Sequence, residues 1–183
     1  GVENYVLADG GNTFTLGATA QNVTGGTGAD TIQTGTLSSV TGTINGGGGN
    51  DTLNINANAD IHTATLTSIE NITLDNNVNA TMTRAQNALI SAAAGTNTVT
   101  LSDAGAATGN ANVENYNLAN GTNTFTLGAT TQNVTGGTGA DTIQTGTLSS
   151  VTGTINGGSG NDTLNINDDA DIHTATLTSI ENI

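Results

Sequence analysis

Apolar residues in this chain come singly and in alternation with polar ones, never in long blocks. Asp9-Gly10-Gly11-Asn12-Thr13-Phe14, Thr27-Gly28-Ala29-Asp30-Thr31-Ile32 and Gly48-Gly49-Asn50-Asp51-Thr52-Leu53 share one order: turn, Asn or Asp, Thr, large apolar residue. The steps are 18 residues from Asn12 to Asp30 and 21 from Asp30 to Asp51. Short alternating strands joined by Gly-rich turns at a period of about 20 predict an all-β fold, a parallel β-solenoid of the β-roll or β-helix type. Each coil would bury a few side chains against the coils above and below. Phe14, Ile32 and Leu53 form one predicted internal stack, and Val23, Leu37, Val40 and Ile44 supply others. The period-2 alternation turns Thr13, Thr31 and Thr52 outward.

A longer repeat contains this one. Residues 1–72 recur as residues 112–183 with differences at positions 1, 6, 9, 11, 20, 48, 57 and 58. The chain therefore divides into a first solenoid module copy (1–72), an intervening part (73–111) and a second copy (112–183). It starts and stops inside a copy, so it is expected to be a piece of a longer repetitive protein. In the intervening part, residues 83–94 predict one short helix, capped by Thr83 and closed by Gly95, with Met82, Leu89 and Ile90 on one face. Thr98-Val99-Thr100-Leu101 then resumes a strand.

Composition narrows the function. Thr, Asn and Gly make up about half of the 183 residues; the net charge is −14, with one Lys or Arg in total, no Cys and no Pro. Arg84 alone is not a basic patch, so no nucleic-acid partner is expected. There is no run of 18 apolar residues, so no membrane insertion by a helix is expected. Without Cys there is neither a disulfide framework nor a thiolate metal site.

The candidate chemistry lies in the turns. Residues 25–33, 46–54, 136–144 and 157–165 each fit the nonapeptide G-G-x-G-x-D-x-U-x, where U is large and apolar. Here the chain resembles the repeats-in-toxin (RTX) family of calcium-binding β-rolls. The resemblance implies Ca2+ held between equivalent turns of neighbouring coils by Asp carboxylates and backbone carbonyls. A hard cation that takes six to eight oxygens suits that donor set. Carried over residue by residue, Asp30, Asp51, Asp141 and Asp162 are the expected carboxylate ligands. Gly25, Thr27, Gly46, Gly48, Gly136, Thr138, Gly157 and Ser159 are the expected carbonyl donors. One site pairs the turns 25–30 and 46–51, the other 136–141 and 157–162. The alternative is that each Asp serves only as a turn residue, hydrogen-bonding backbone.

The family runs its motifs in tandem on both edges of an 18-residue coil. Here they occur once per coil, and the opposite edge, Thr34-Gly35-Thr36-Leu37-Ser38-Ser39, has no carboxylate. One calcium-binding edge is therefore expected. Asp9 with Asn12 offers a weaker extra site. Asp60, Asp168, Asp169 and Asp171 are expected to be solvated turn residues. His62 and His173 have no second His or Cys near them in sequence, so zinc is not expected. Glu3, Glu70, Glu114 and Glu181, in a recurring I/V-E-N-I/Y element, are expected to close turns or reach backbone amides.

The resemblance and the long repeat imply a calcium-stabilised structural segment of a long secreted bacterial surface protein: a surface layer, filament or adhesin stalk. Its expected location is extracellular, on the bacterial cell surface. Its expected partners are copies of itself, end to end or through neighbouring modules, and a cell-surface polysaccharide. The alternatives are a non-catalytic folding or secretion segment of a type I secreted enzyme or toxin, or an ice-binding solenoid. An enzyme is not expected, because a polysaccharide-cleaving site needs cations for developing negative charge and Arg84 is the one candidate. Thr15, Gln33 and Asn54 follow the outward Thr row, so no two-column Thr array forms for ice.

Overall fold

A computed structural model describes residues 3–183 and shows an all-β parallel β-solenoid. The chain divides into two units, one ending at Asn97 and the other beginning at Thr98. In the first unit, one stack of parallel strands runs Asn4–Val6, Asn22–Thr24, Thr43–Asn45 and Thr65–Thr67. A second runs Thr13–Thr15, Thr31–Gln33, Thr52–Ile55, Asn71–Leu74 and Ile90–Ala93. Ala59–Asp60 pairs with Asn79–Met82. The second unit repeats the plan. One stack is Thr98–Leu101, Asn115–Asn117, Asn133–Thr135, Thr154–Asn156 and Thr176–Thr178. The other is Ala106–Thr108, Thr124–Thr126, Thr142–Gln144 and Thr163–Asn165.

The predicted internal stack is present in register, with Phe14 opposite Ile32 and Ile32 opposite Leu53. Val23 pairs with Ile44, and both are buried, as is Val40. Leu37 differs: it is only half-buried, in a turn that carries no strand partner for it. Thr13 is exposed, and Thr31 and Thr52 half-exposed, on the outer side. In the second unit Tyr116 and Phe125 are 1% exposed, with ring centroids 4.8 Å apart in a tilted arrangement.

The Tyr116 hydroxyl accepts the Asn110 N–H at 2.8 Å. Burial disfavours the phenolate and pushes its pKa up to about 12 from 10.0, against the opposing pull of that hydrogen bond. The stabilisation from a raised pKa is fully present below pH 10 and is lost as pH rises through about 12. Tyrosinate absorbance is therefore expected to show one of the two tyrosines titrating near 12, together with loss of β structure. Complete titration near pH 10 with the fold intact would contradict this burial.

The helix expected over 83–94 is confined to Arg84–Asn87. Thr83 caps it as expected: Gln86 N–H donates to Thr83 Oγ1, and Thr83 N–H donates to Gln86 Oε1 at 2.8 Å. The buried Gln86 amide also donates to the carbonyls of Ile61 and Ala64, which fixes this turn as a corner of the coil. Beyond Leu89 the chain returns to a strand, because Ile90 pairs with Ile72 and Ala93 with Leu74. Strand pairing there overrides the helix propensity of Ala92–Ala94. Gly95 (φ +76°) turns the chain after that strand and does not close the helix. Thr98–Leu101 is a strand, as read.

Candidate functional site: a carboxylate ladder in the turns

Each motif Asp is the residue before a strand whose second residue points inward. Two positions back along the alternation, the Asp also points inward. Asp30, Asp51, Asp141 and Asp162 are accordingly at most 1% exposed. Their carboxylates form a ladder from coil to coil. Asn12 N–H and the Asn12 side-chain amide donate to Asp30 Oδ1 at 2.8 and 2.9 Å. Asp30 N–H donates to Asp51 Oδ1 at 2.7 Å, and Asp51 N–H to Glu70 Oε2 at 2.8 Å. The second unit repeats this: Asn123 to Asp141 at 2.8 Å, Asp141 to Asp162 at 2.8 Å and Asp162 to Glu181 at 2.7 Å. Each Asp thus binds backbone as the turn-residue alternative expects, but on the neighbouring coil and through one oxygen only.

The other oxygen is the anomaly. Oδ2 of Asp30, Asp51, Asp141 and Asp162 is buried with no hydrogen-bond partner among the described residues. A carboxylate left half unmet in a dry site is costly. Each Oδ2 lies against a glycine Cα, and a backbone carbonyl of the next coil converges on the same place. A Cβ added to Gly25 would lie 1.9 Å from Gly46 O and 2.5 Å from Asp30 Oδ2. For Gly136 the neighbours are Gly157 O at 1.9 Å and Asp141 Oδ2 at 2.6 Å. Two acceptors therefore face each other, with only a weakly polar C–H beside them.

The expected carbonyl donors divide into three groups. Gly46 O and Gly157 O converge with the orphaned carboxylate oxygens, as above. Gly25 O and Gly136 O approach the next coil at Gly47 and Gly158. The carbonyls of Thr27, Gly48, Thr138 and Ser159 already accept N–H groups, from Gly10, Gly28, Gly121 and Gly139 at 2.5, 2.6, 2.6 and 2.8 Å. A carbonyl oxygen has two lone pairs, and the second is what these four retain. The donor set is all oxygen, anionic in part and buried, which fits a hard divalent cation in chemistry. No cluster of three or more His, Asp or Glu side chains is present among the described residues, so carbonyls must supply much of any coordination shell.

The remaining candidates have plain roles. Asp9 accepts Thr27 N–H at 3.1 Å, and Asn120 does the same for Thr138 in the second unit. Asn12 donates its side-chain amide to Ala8 O and Gly10 O. Asp60 and Asp171 each accept from Nδ1 and N–H of the histidine two residues on. The His173 N–H, then its ring, hold the exposed Asp171 carboxyl below the usual carboxylate range. Asp168 and Asp169 are exposed turn residues at φ 49° and 55°. Glu70 and Glu181 reach backbone amides, as expected. They also stand on the same ladder as the motif Asp, a place the glycine motif does not mark although the spacing continues: Asn12 to Asp30 to Asp51 to Glu70 runs 18, 21, 19.

No family model, curated protein or solved structure matches this chain. What fold and turns define together is a parallel β-solenoid with a buried carboxylate ladder along one edge of each unit.

Proposed function

We propose that this chain is a calcium-stabilised structural repeat segment of a secreted bacterial surface protein, of the RTX β-roll kind. The observation that carries this reading is the set of four buried Asp Oδ2 atoms without a partner, each beside a backbone carbonyl. Asp30 and Asp51 with the Gly25, Thr27, Gly46 and Gly48 carbonyls would hold one ion. Asp141 and Asp162 with Gly136, Thr138, Gly157 and Ser159 would hold another. A bound cation supplies the positive charge that these coils otherwise lack, since the chain has one Lys or Arg against 15 acidic residues. Calcium thus couples folding to the outside of the cell, where it is plentiful, and repeated coils add length and stiffness without new chemistry. End-to-end association of copies belongs to the same proposal, and light scattering should rise with calcium.

The direct test is far-ultraviolet circular dichroism and thermal melting in calcium and in excess chelator. Expected is a loosened chain in chelator that gains β signal and melting temperature with added calcium. Identical spectra and melts in both conditions would overturn the proposal.

A further inference from the structure

The ladder does not stop at the second motif Asp. On the far side of Asp51 the next coil carries no Gly-Asp turn, yet it presents the same atoms. A Cβ on Gly46 would lie 2.0 Å from Ser68 O and 2.5 Å from Asp51 Oδ2. On Gly25 the corresponding values are 1.9 Å from Gly46 O and 2.5 Å from Asp30 Oδ2. The second unit agrees, with Ser179 O at 2.0 Å and Asp162 Oδ2 at 2.6 Å from a Cβ on Gly157. Ser68 thus stands where Gly46 stands one coil earlier, and Glu70 stands where Asp51 stands. Glu70 Oε2 accepts the Asp51 N–H, as Asp51 Oδ1 accepts that of Asp30.

The backbone at these serines is unusual. Ser68 and Ser179 hold φ of 47° and 50°, a left-handed conformation uncommon for residues with a Cβ. Their carbonyl oxygens lie against Gly46 and Gly157 of the coil before. Asp51 and Asp162 are fully buried, and their Oδ2 atoms have no partner, so this gap holds an unmet carboxylate oxygen as the first does. Glu70 and Glu181 are exposed, whereas the Asp rungs are buried, so this gap has a carboxylate in contact with solvent.

We infer that each unit holds a second divalent-cation site, between the coil of Asp51 and that of Glu70, and between the coil of Asp162 and that of Glu181. Its ligands are Asp51 Oδ2, the Ser68 carbonyl and the Glu70 carboxylate, with Asp162, Ser179 and Glu181 as the counterparts, so that Asp51 and Asp162 serve both ions of their unit. This rests on the calcium reading above and extends it beyond the glycine-rich motif. The chain then takes four calcium ions, where the motif turns alone predict two.

Equilibrium dialysis with calcium alone, on the whole chain, counts the ions. Glu70→Gln with Glu181→Gln keeps a side-chain oxygen to accept the ladder N–H but removes the charge. Four ions in the parent, falling to two in the double variant with an unchanged circular dichroism spectrum in calcium, is the expected result. Two ions in both proteins would overturn this inference and leave the motif sites standing. No bound calcium in the parent would overturn both readings. Should the double variant lose its β signal, Glu70→Gln alone, with the second unit intact, is expected to bind three.

Discussion

Gly46→Ala is expected to unfold the first unit. The added methyl would sit 2.0 Å from Ser68 O, 2.5 Å from Asp51 Oδ2 and 2.6 Å from Asp51 Cβ. Two of these three atoms belong to the buried ladder residue, and the third is backbone, so none can swing aside. Relief requires the coils of Gly46 and Ser68 to part, which breaks the Asp51–Glu70 hydrogen bond that joins them. Overpacking combined with a lost ladder hydrogen bond places the cost above about 4 kcal/mol. A domain holds only about 5–15 kcal/mol in total. Gly48→Ser is the matched control: a Cβ there has nothing within 4 Å, and Ser159 already stands at the equivalent position. Thermal melts should show the first variant losing its cooperative transition and the second behaving as the parent. A Gly46→Ala melt within a few degrees of the parent would mean that the coils stack far more loosely than these contacts require.

The second large effect changes sign with calcium. Asn at position 51 keeps an oxygen to accept the Asp30 N–H, so the ladder bond at 2.7 Å survives. What it removes is a fully buried negative charge whose second oxygen has no partner. In chelator that charge is uncompensated, and losing it should stabilise the chain, by several kcal/mol at most. On the proposed calcium reading the same carboxylate is a ligand, and losing it should cost on the order of 3–5 kcal/mol, as breaking one side of a buried ion pair does. Asp51→Asn should therefore melt higher than the parent in chelator and lower than the parent in millimolar calcium. Stabilisation in both conditions would mean that Asp51 is only a hydrogen-bonding rung. Asp162→Asn should do the same in the second unit, additively, because Asp51 and Asp162 belong to different units.

How far the sequence discloses this arrangement depends on which force sets each part. Strand register follows local alternation, so Phe14, Ile32 and Leu53 could be aligned by eye and are found opposite one another. The turn chemistry is also local: Gly28 and Gly49, which precede Asp30 and Asp51, hold φ of 111° and 145°, a region that favours glycine. The intervening part was harder. Ala-rich residues 88–94 look helical in isolation, and only a spacing of 18 to 19 residues from Asn71–Leu74 makes Ile90–Ala93 a strand. The inward Asp could be read, but which of its oxygens is used is fixed by stacking, since the donor lies 18 or 21 residues away. Glu70 was legible as a residue that reaches an amide. That it ends a ladder begun by Asn12 emerges only when the coils are laid on one another.

The ladder also fixes how the molecule should answer to force. Every rung joins one coil to the next, and no rung closes within its own coil. Tension applied through the chain ends of a unit therefore loads the rungs one after another, and coils should peel away singly from an edge. Each peeled coil of 18 or 21 residues releases about 60–75 Å of extended chain. A tether built this way yields in regular steps and absorbs work at each one. A cation of the kind proposed, seated between two rungs, would raise the force of that step alone, so the ion content of the surroundings would set how much work the solenoid absorbs.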